Sequence, residues 1–176
     1  MKNCNLNDAA ASMLIRSSLG NSSNLRHIDF TGIEMGSKFI KALKSTLEQD
    51  PNCLEELIMA KIKQSVSIGY LADTLLLCKN LLYLDLNANT FNFYSIEALT
   101  KFLKATETLE YLSMSQCQLR GKIAEQVIDA LMLNKTLKYL DLSLNRFTSP
   151  DYMISAKLGR LVQGHPNLMH VDLANN

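Results

Sequence analysis

The sequence predicts an α/β solenoid: a right-handed coil of repeats with about six parallel strands on its concave face and helices on its convex face. Three observations predict it. A nine-residue apolar phrase occurs six times within 176 residues. Its first positions, at residues 25, 54, 81, 109, 137 and 168, are separated by 29, 27, 28, 28 and 31 residues. Between the phrases, apolar residues recur at three- and four-residue steps, the mark of a helix with one buried stripe. A fixed period with one template describes units that stack on their neighbours.

The phrase reads L-x-x-L-x-L-x-x-N or a close variant. Its clearest copies are Leu81, Leu84, Leu86 and Asn89, and Leu137, Leu140, Leu142 and Asn145. Apolar residues at the fourth and sixth positions alternate with freer ones, as on a strand buried on one side. The first apolar residue, Leu25 in the first copy, enters the core ahead of the strand. The ninth position closes the turn behind it. Asn89, Asn145 and Asn176 suit that turn, because an amide can satisfy buried backbone groups. Cys117 is a small substitute there, whereas Ile33 and Ile62 cannot make those bonds. The first two repeats are therefore expected to be less regular.

The helical stripes follow in order. Residues 8–18 form the first helix. Phe39, Ile40, Leu43 and Leu47 make the next stripe, and Val66, Leu71, Leu75 and Cys78 a looser one. Ile96, Leu99, Phe102 and Leu103, then Ile123, Val127, Ile128 and Leu131, make two more. In the last helix Ser149, Pro150 and Asp151 read as N-cap, first-turn proline and first-turn acid. That helix runs through Ile154, Leu158 and Leu161 to a stop at Gly164, before His165 and Pro166.

With this 28-residue period, a full outer helix, and junctions such as Asn134, Lys135, Thr136 and Leu137 leading into Tyr139, Leu140, Asp141 and Leu142, the chain resembles the ribonuclease-inhibitor-like leucine-rich repeats. The resemblance covers residues from about 20 to 176. That class includes ribonuclease inhibitor, tropomodulin, CARMIL-type actin regulators, Ran GTPase-activating protein and the arrays of NOD-like receptors. The resemblance implies one scaffold that serves many partners.

Length predicts a single domain over residues 1–176, and 47% apolar residues are ample for its core. Residues 1–24 read as a partial repeat with its helix, and residues 168–176 as a truncated last repeat. Cys4, Asn5 and Leu6 align with Cys117, Gln118 and Leu119, so the chain starts behind a strand. Uncapped ends predict a piece of a longer array, or self-association through those ends. A net charge of +1 gives no field drawing the chain to nucleic acid or membrane. The apolar runs, the longest at Leu75, Leu76 and Leu77, are too short to span a bilayer. Met1, Lys2, Asn3, Cys4 and Asn5 do not read as a secretory signal, so a cytoplasmic location is expected.

Cys4, Cys53, Cys78 and Cys117 are scattered, without a C-x-x-C pair, and read as reduced structural thiols. The glycosylation sequons at Asn21 and Asn134 read as coincidence on this view.

Side chains at positions three, five and seven of each phrase face away from the core. Position three reads His27, Glu56, Tyr83, Tyr111, Tyr139 and His170. Position five reads Asp29, Ile58, Asp85, Ser113, Asp141 and Asp172, and position seven is small or short throughout. Tyr83, Tyr111 and Tyr139 form an aromatic ridge suited to the centre of an interface. The aspartates allow two readings: a carboxylate row facing a basic or mixed partner surface, or side chains that bond neighbouring backbone. On the helices, Lys38, Lys41 and Lys44, then Lys101 and Lys104, then Lys157 and Arg160 read as a solvated basic face.

Catalytic chemistry finds little support. His27 with Asp29 and His170 with Asp172 could each orient an imidazole or hold a metal, but the pairs lie about 24 Å apart across five strand spacings. Neither has an evident third ligand. No phosphate-binding, hydrolase-elbow or zinc-helix motif occurs. The expectation is a non-enzymatic module, without cofactor or metal, that binds another protein on the concave face. Its site would comprise Tyr83, Tyr111, Tyr139, Asp85, Asp141, His27, Asp29, His170 and Asp172. The competing readings are a structural segment of a longer array and a GTPase-activating scaffold.

Overall fold

Each of the six phrases contributes a three-residue strand, and the strands pair in chain order into one parallel sheet. The computed structural model describes residues 6–19, 24–62, 65–147 and 152–176. The elements alternate without interruption: α1 (Asp8–Ser18), β1 (His27–Asp29), α2 (Ser37–Gln49), β2 (Glu56–Ile58), α3 (Ser65–Leu75) and β3 (Tyr83–Asp85). They continue as α4 (Phe93–Ala105), β4 (Tyr111–Ser113), α5 (Gly121–Leu133), β5 (Tyr139–Asp141), α6 (Tyr152–Gly164) and β6 (His170–Asp172). Each helix packs on the helices before and after it, so a helix layer backs the sheet. The phrase residues and the helical stripes meet in one core cluster that runs the length of the sheet.

The strands are held by their own turns. The residue at the eighth position of every phrase has positive φ: Gly32, Lys61, Ala88, Gln116, Leu144 and Asn175, between 55° and 76°. That conformation aims its N–H at the seventh-position carbonyl of the next repeat, as in Ala88 N to Ser115 O at 2.9 Å and Leu144 N to Ala174 O at 2.8 Å. The ninth position then reaches back one repeat. Asn89 donates to Met59 O at 2.8 Å, Asn145 to Met114 O at 2.9 Å, and Asn176 to Leu142 O at 2.9 Å. Cys117 keeps the pattern, its thiol donating to Leu86 O at 3.3 Å. Burial pushes that thiol up to about 12, so it stays protonated and able to donate.

The first two repeats are as regular in register as the rest, contrary to expectation. Ile62 makes no side-chain bond, but its N–H is satisfied by Asn89 Oδ1 at 2.7 Å, from the following repeat. The amide serves the neighbour behind it, so one asparagine compensates for the isoleucine before it. A threonine ahead of the first leucine repeats the device: Thr108 donates to Leu81 O and Thr136 to Leu109 O, at 2.9 and 2.7 Å.

The helix α1 has the expected bounds, capped by Asn7 Oδ1, which accepts from Ala10 N. Its Asp8 also caps the next helix, accepting from Gly36 N, Lys38 N and Phe39 N at 2.8–3.0 Å. A Cβ on Gly36 would sit 2.7 Å from Asp8 Oδ2, which explains the glycine.

Three sequence expectations need correction here. Leu25 is 41% exposed, because it precedes the edge strand β1 and no described strand lies outside it. Cys78 lies beyond the end of α3 and bonds Leu54 O with its thiol, so it is not part of the helical stripe. Lys157 is no part of a free basic face: it lies against α5, 2.8 Å from Asp129 Oδ2 and 3.4 Å from Glu125 Oε2. Cys4, the sequon at Asn21, the side chain of Val66 and the expected cap at Ser149, Pro150 and Asp151 fall outside the described residues.

Asn134 is 2% exposed, its amide nitrogen donating to Leu103 O and its oxygen accepting from Thr136 and Leu137 N–H. That burial removes it as a glycan acceptor. No helix among the described residues is long and apolar enough to cross a membrane.

Candidate functional site

The sheet register turns the third position of each phrase into a single column. His27, Glu56, Tyr83, Tyr111, Tyr139 and His170 are Cα partners in sequence along the six strands. Asp29, Ile58, Asp85, Ser113, Asp141 and Asp172 form the parallel column two residues on. The expected site residues therefore share one face. They are not one cluster, because His27 with Asp29 and His170 with Asp172 occupy opposite edge strands.

The aromatic column is continuous over four strands. The rings of Tyr83 and Tyr111 stack at 4.0 Å with 7° between planes. Tyr111 and Tyr139 are 6.5 Å apart and tilted by 31°. Tyr139 then meets the His170 imidazole at 6.1 Å and 38°, so the last residue of the expected column extends the ridge. Burial first, then the neighbouring Tyr111, raises the Tyr83 phenol above its ordinary value and keeps it neutral. At the other end His27 Nδ1 lies 2.8 Å from Glu56 Oε2.

The aspartates have a structural duty. Asp29, Asp85, Asp141 and Asp172 each accept, through Oδ1, the N–H two residues on, at 2.7–2.9 Å. This bond tightens the turn into the left-handed eighth position. Asp141 Oδ2 also accepts from Ser113 Oγ of the adjacent strand at 3.1 Å. The backbone reading of this column is therefore correct in part, since each carboxylate has one oxygen so engaged.

The column of small residues at position seven is largely covered. Ala60, Ser115 and Ser143 are buried, as is Ser113 at position five. Ser115 and Ser143 share a hydrogen bond at 2.9 Å between their hydroxyls, so they seal the sheet edge by the turns. The charged second position also pairs internally, with Lys138 Nζ 2.6 Å from Glu110 Oε1. What the face offers to solvent is chiefly the aromatic ridge, with Tyr139 44% exposed, and the carboxylates beside it.

Known proteins share the fold. No family model matches the chain. The mouse "NACHT, LRR and PYD domains-containing protein 14" is 26% identical over 175 residues, 98% of this chain. The chain spans 17% of that protein's length. Among solved structures, leiomodin-1 actin-binding site 2 superposes with a TM-score of 0.65 at 16% identity, covering 89% of this chain and 87% of that one. The tropomodulin C-terminal domain of Caenorhabditis elegans superposes with a TM-score of 0.54 at 15% identity, covering 88% and 93%. With six phrases, six parallel strands and a full helix between each pair, the chain has the fold of a leucine-rich-repeat solenoid.

Proposed function

We propose that this chain is a protein-interaction module that binds its partner across the sheet face, with Tyr83, Tyr111 and Tyr139 as the central anchors. The observation that carries this reading is the unbroken aromatic column, which lies in register on three successive strands. Tyrosine brings large contact area, a polar tip and little rotamer entropy to lose. The frame beneath it is rigid, because ninth-position side chains and turn aspartates bond each repeat or its neighbour. A preorganised surface loses little entropy on association, so its contacts count more fully toward affinity. Asp85, Asp141 and Asp172 beside the ridge favour a partner with basic groups.

Affinity capture from source lysate tests this, with the 176-residue chain as bait. Its Tyr83→Ala/Tyr111→Ala/Tyr139→Ala variant serves as the comparison, once circular dichroism shows that both fold. A protein retained by the unmodified chain and lost by the variant supports the reading. Equal retention by both refutes the anchors. Purified actin belongs in the same assay, because the leiomodin-1 domain with this fold is an actin-binding site.

A further inference from the structure

The tyrosine column changes pitch along the sheet. Neighbouring strands lie about 4.8 Å apart. Tyr83 and Tyr111 close below that distance, at 4.0 Å, and leave no room between their rings. Tyr111 and Tyr139 open above it, at 6.5 Å, and Tyr139 and His170 at 6.1 Å. A flat group held between two rings at ordinary contact on each side needs about 7 Å. The stack is thus shut at one end and splayed to nearly that width at the other.

A depression of about 310 Å³ lies at the splayed end, lined by Tyr111, Tyr139, Leu140, Asp141, His170 and Asp172. Its charge is one-sided. Two carboxylates line it, and no lysine or arginine does. The nearby Lys138 is turned to Glu110. Both carboxylates are oriented by the turns: Asp141 by Ser143 and Ser113, and Asp172 by Ala174 N. Asp172 Oδ2 has no partner among the described residues.

We propose that this depression receives an arginine side chain of the partner protein, its guanidinium lying against the faces of Tyr111 and Tyr139 and donating to Asp172 and Asp141. A guanidinium is flat, stacks on aromatic faces and presents several N–H groups in its own plane. Those are the features that a splayed pair of rings with carboxylates beside it can use together. An ammonium has the charge without the plane, so lysine satisfies the carboxylates and gains less from the rings. The inference rests on the sheet face being the binding surface, and adds the chemistry of the residue that enters it.

The test needs no partner protein, so its outcome is separate from that of the capture experiment. The tyrosine ring signals of the intact chain are followed by NMR while N-acetylarginine amide, N-acetyllysine amide or N-acetylcitrulline amide is added. Saturable shifts at Tyr111 and Tyr139 are expected with the arginine probe. Citrulline, which keeps the plane and loses the charge, should produce none. Asp172→Asn and Tyr139→Leu should each weaken the arginine response by about threefold or more, the scale of one exposed cation–π or charged contact. Lys41→Ser, on the exposed side of α2, should leave it unchanged. An equal response to citrulline or to lysine overturns the proposal, as does a response indifferent to Asp172→Asn.

Discussion

Asn145 of the fifth phrase holds Cys117 of the fourth: its Oδ1 accepts the Cys117 N–H at 3.0 Å and, from the same repeat, the Leu119 N–H at 3.0 Å. Its Nδ2 donates to Met114 O and Leu142 O, both at 2.9 Å. One buried side chain thus completes backbone groups of two repeats. Asn145→Ala leaves several of them without partners in the core. A loss of about 3 kcal/mol is expected, from 1–3 kcal/mol for each orphaned group with incomplete additivity. Urea titration followed by circular dichroism reads it, and Asn176→Ala, at a half-buried position, should cost less.

The left-handed eighth position supplies a second prediction. Gly32 has φ of 76° and Ala88 of 55°. Gly32→Val should destabilise by about 1–2 kcal/mol, since a β-branched side chain is strained there. Ala88→Gly should change stability by less than about 0.5 kcal/mol, because relieved strain offsets the added chain entropy. A destabilisation of both by the same amount contradicts the turn geometry.

Gly36 and Asp8 are coupled through space. Asp8→Ala removes three acceptor bonds at the start of α2 and should cost about 1–2 kcal/mol, as for a lost helix cap. Gly36→Ala alone drives its Cβ into the carboxylate. In the double variant that obstruction is gone, so the combined loss should be smaller than the sum. A double-mutant cycle by denaturant titration measures the difference. Strict additivity contradicts the contact.

Much of this architecture can be read from the chain. The phrase spacing locates all six strands, and residues 8–18 are helical as expected, because period and apolar pattern are local properties. The left-handed column was harder to see, since glycine marks it only at Gly32 and the others are Lys, Ala, Gln, Leu and Asn. The pairing of Lys157 with Glu125 and Asp129 was not legible because it crosses between helices, 32 and 28 residues away. The aromatic ridge was legible as a column. Its pitch was not, because ring rotation depends on packing that spacing does not encode. Nor did the alternation reveal that Ser113, Ser115 and Ser143 are buried, since a small side chain is covered by whatever stands beside it.

His165 gives the pH prediction. Burial lowers its imidazole pKa below 6.5, and its Nε2 has no hydrogen-bond partner among the described residues. Below 6.5 the unfolded chain binds a proton more readily than the folded one does. Stability from this group is therefore present above that pH and declines as pH falls toward the folded value. Thermal melts across pH 5 to 7 should show that slope, and His165→Asn should flatten it. An unchanged slope in the variant assigns the effect elsewhere.

The account's central claim is that binding energy is concentrated on the sheet face. The most direct measurement is calorimetric affinity for the captured partner, comparing the triple tyrosine variant with Lys38→Ser/Lys41→Ser/Lys44→Ser on the exposed side of α2. The tyrosine variant should lose at least about thirtyfold in affinity, the scale of one interface hot spot of 2 kcal/mol, while the lysine variant stays within about twofold. Full affinity in the tyrosine variant with loss in the lysine variant would place the interface on the helices and contradict the account.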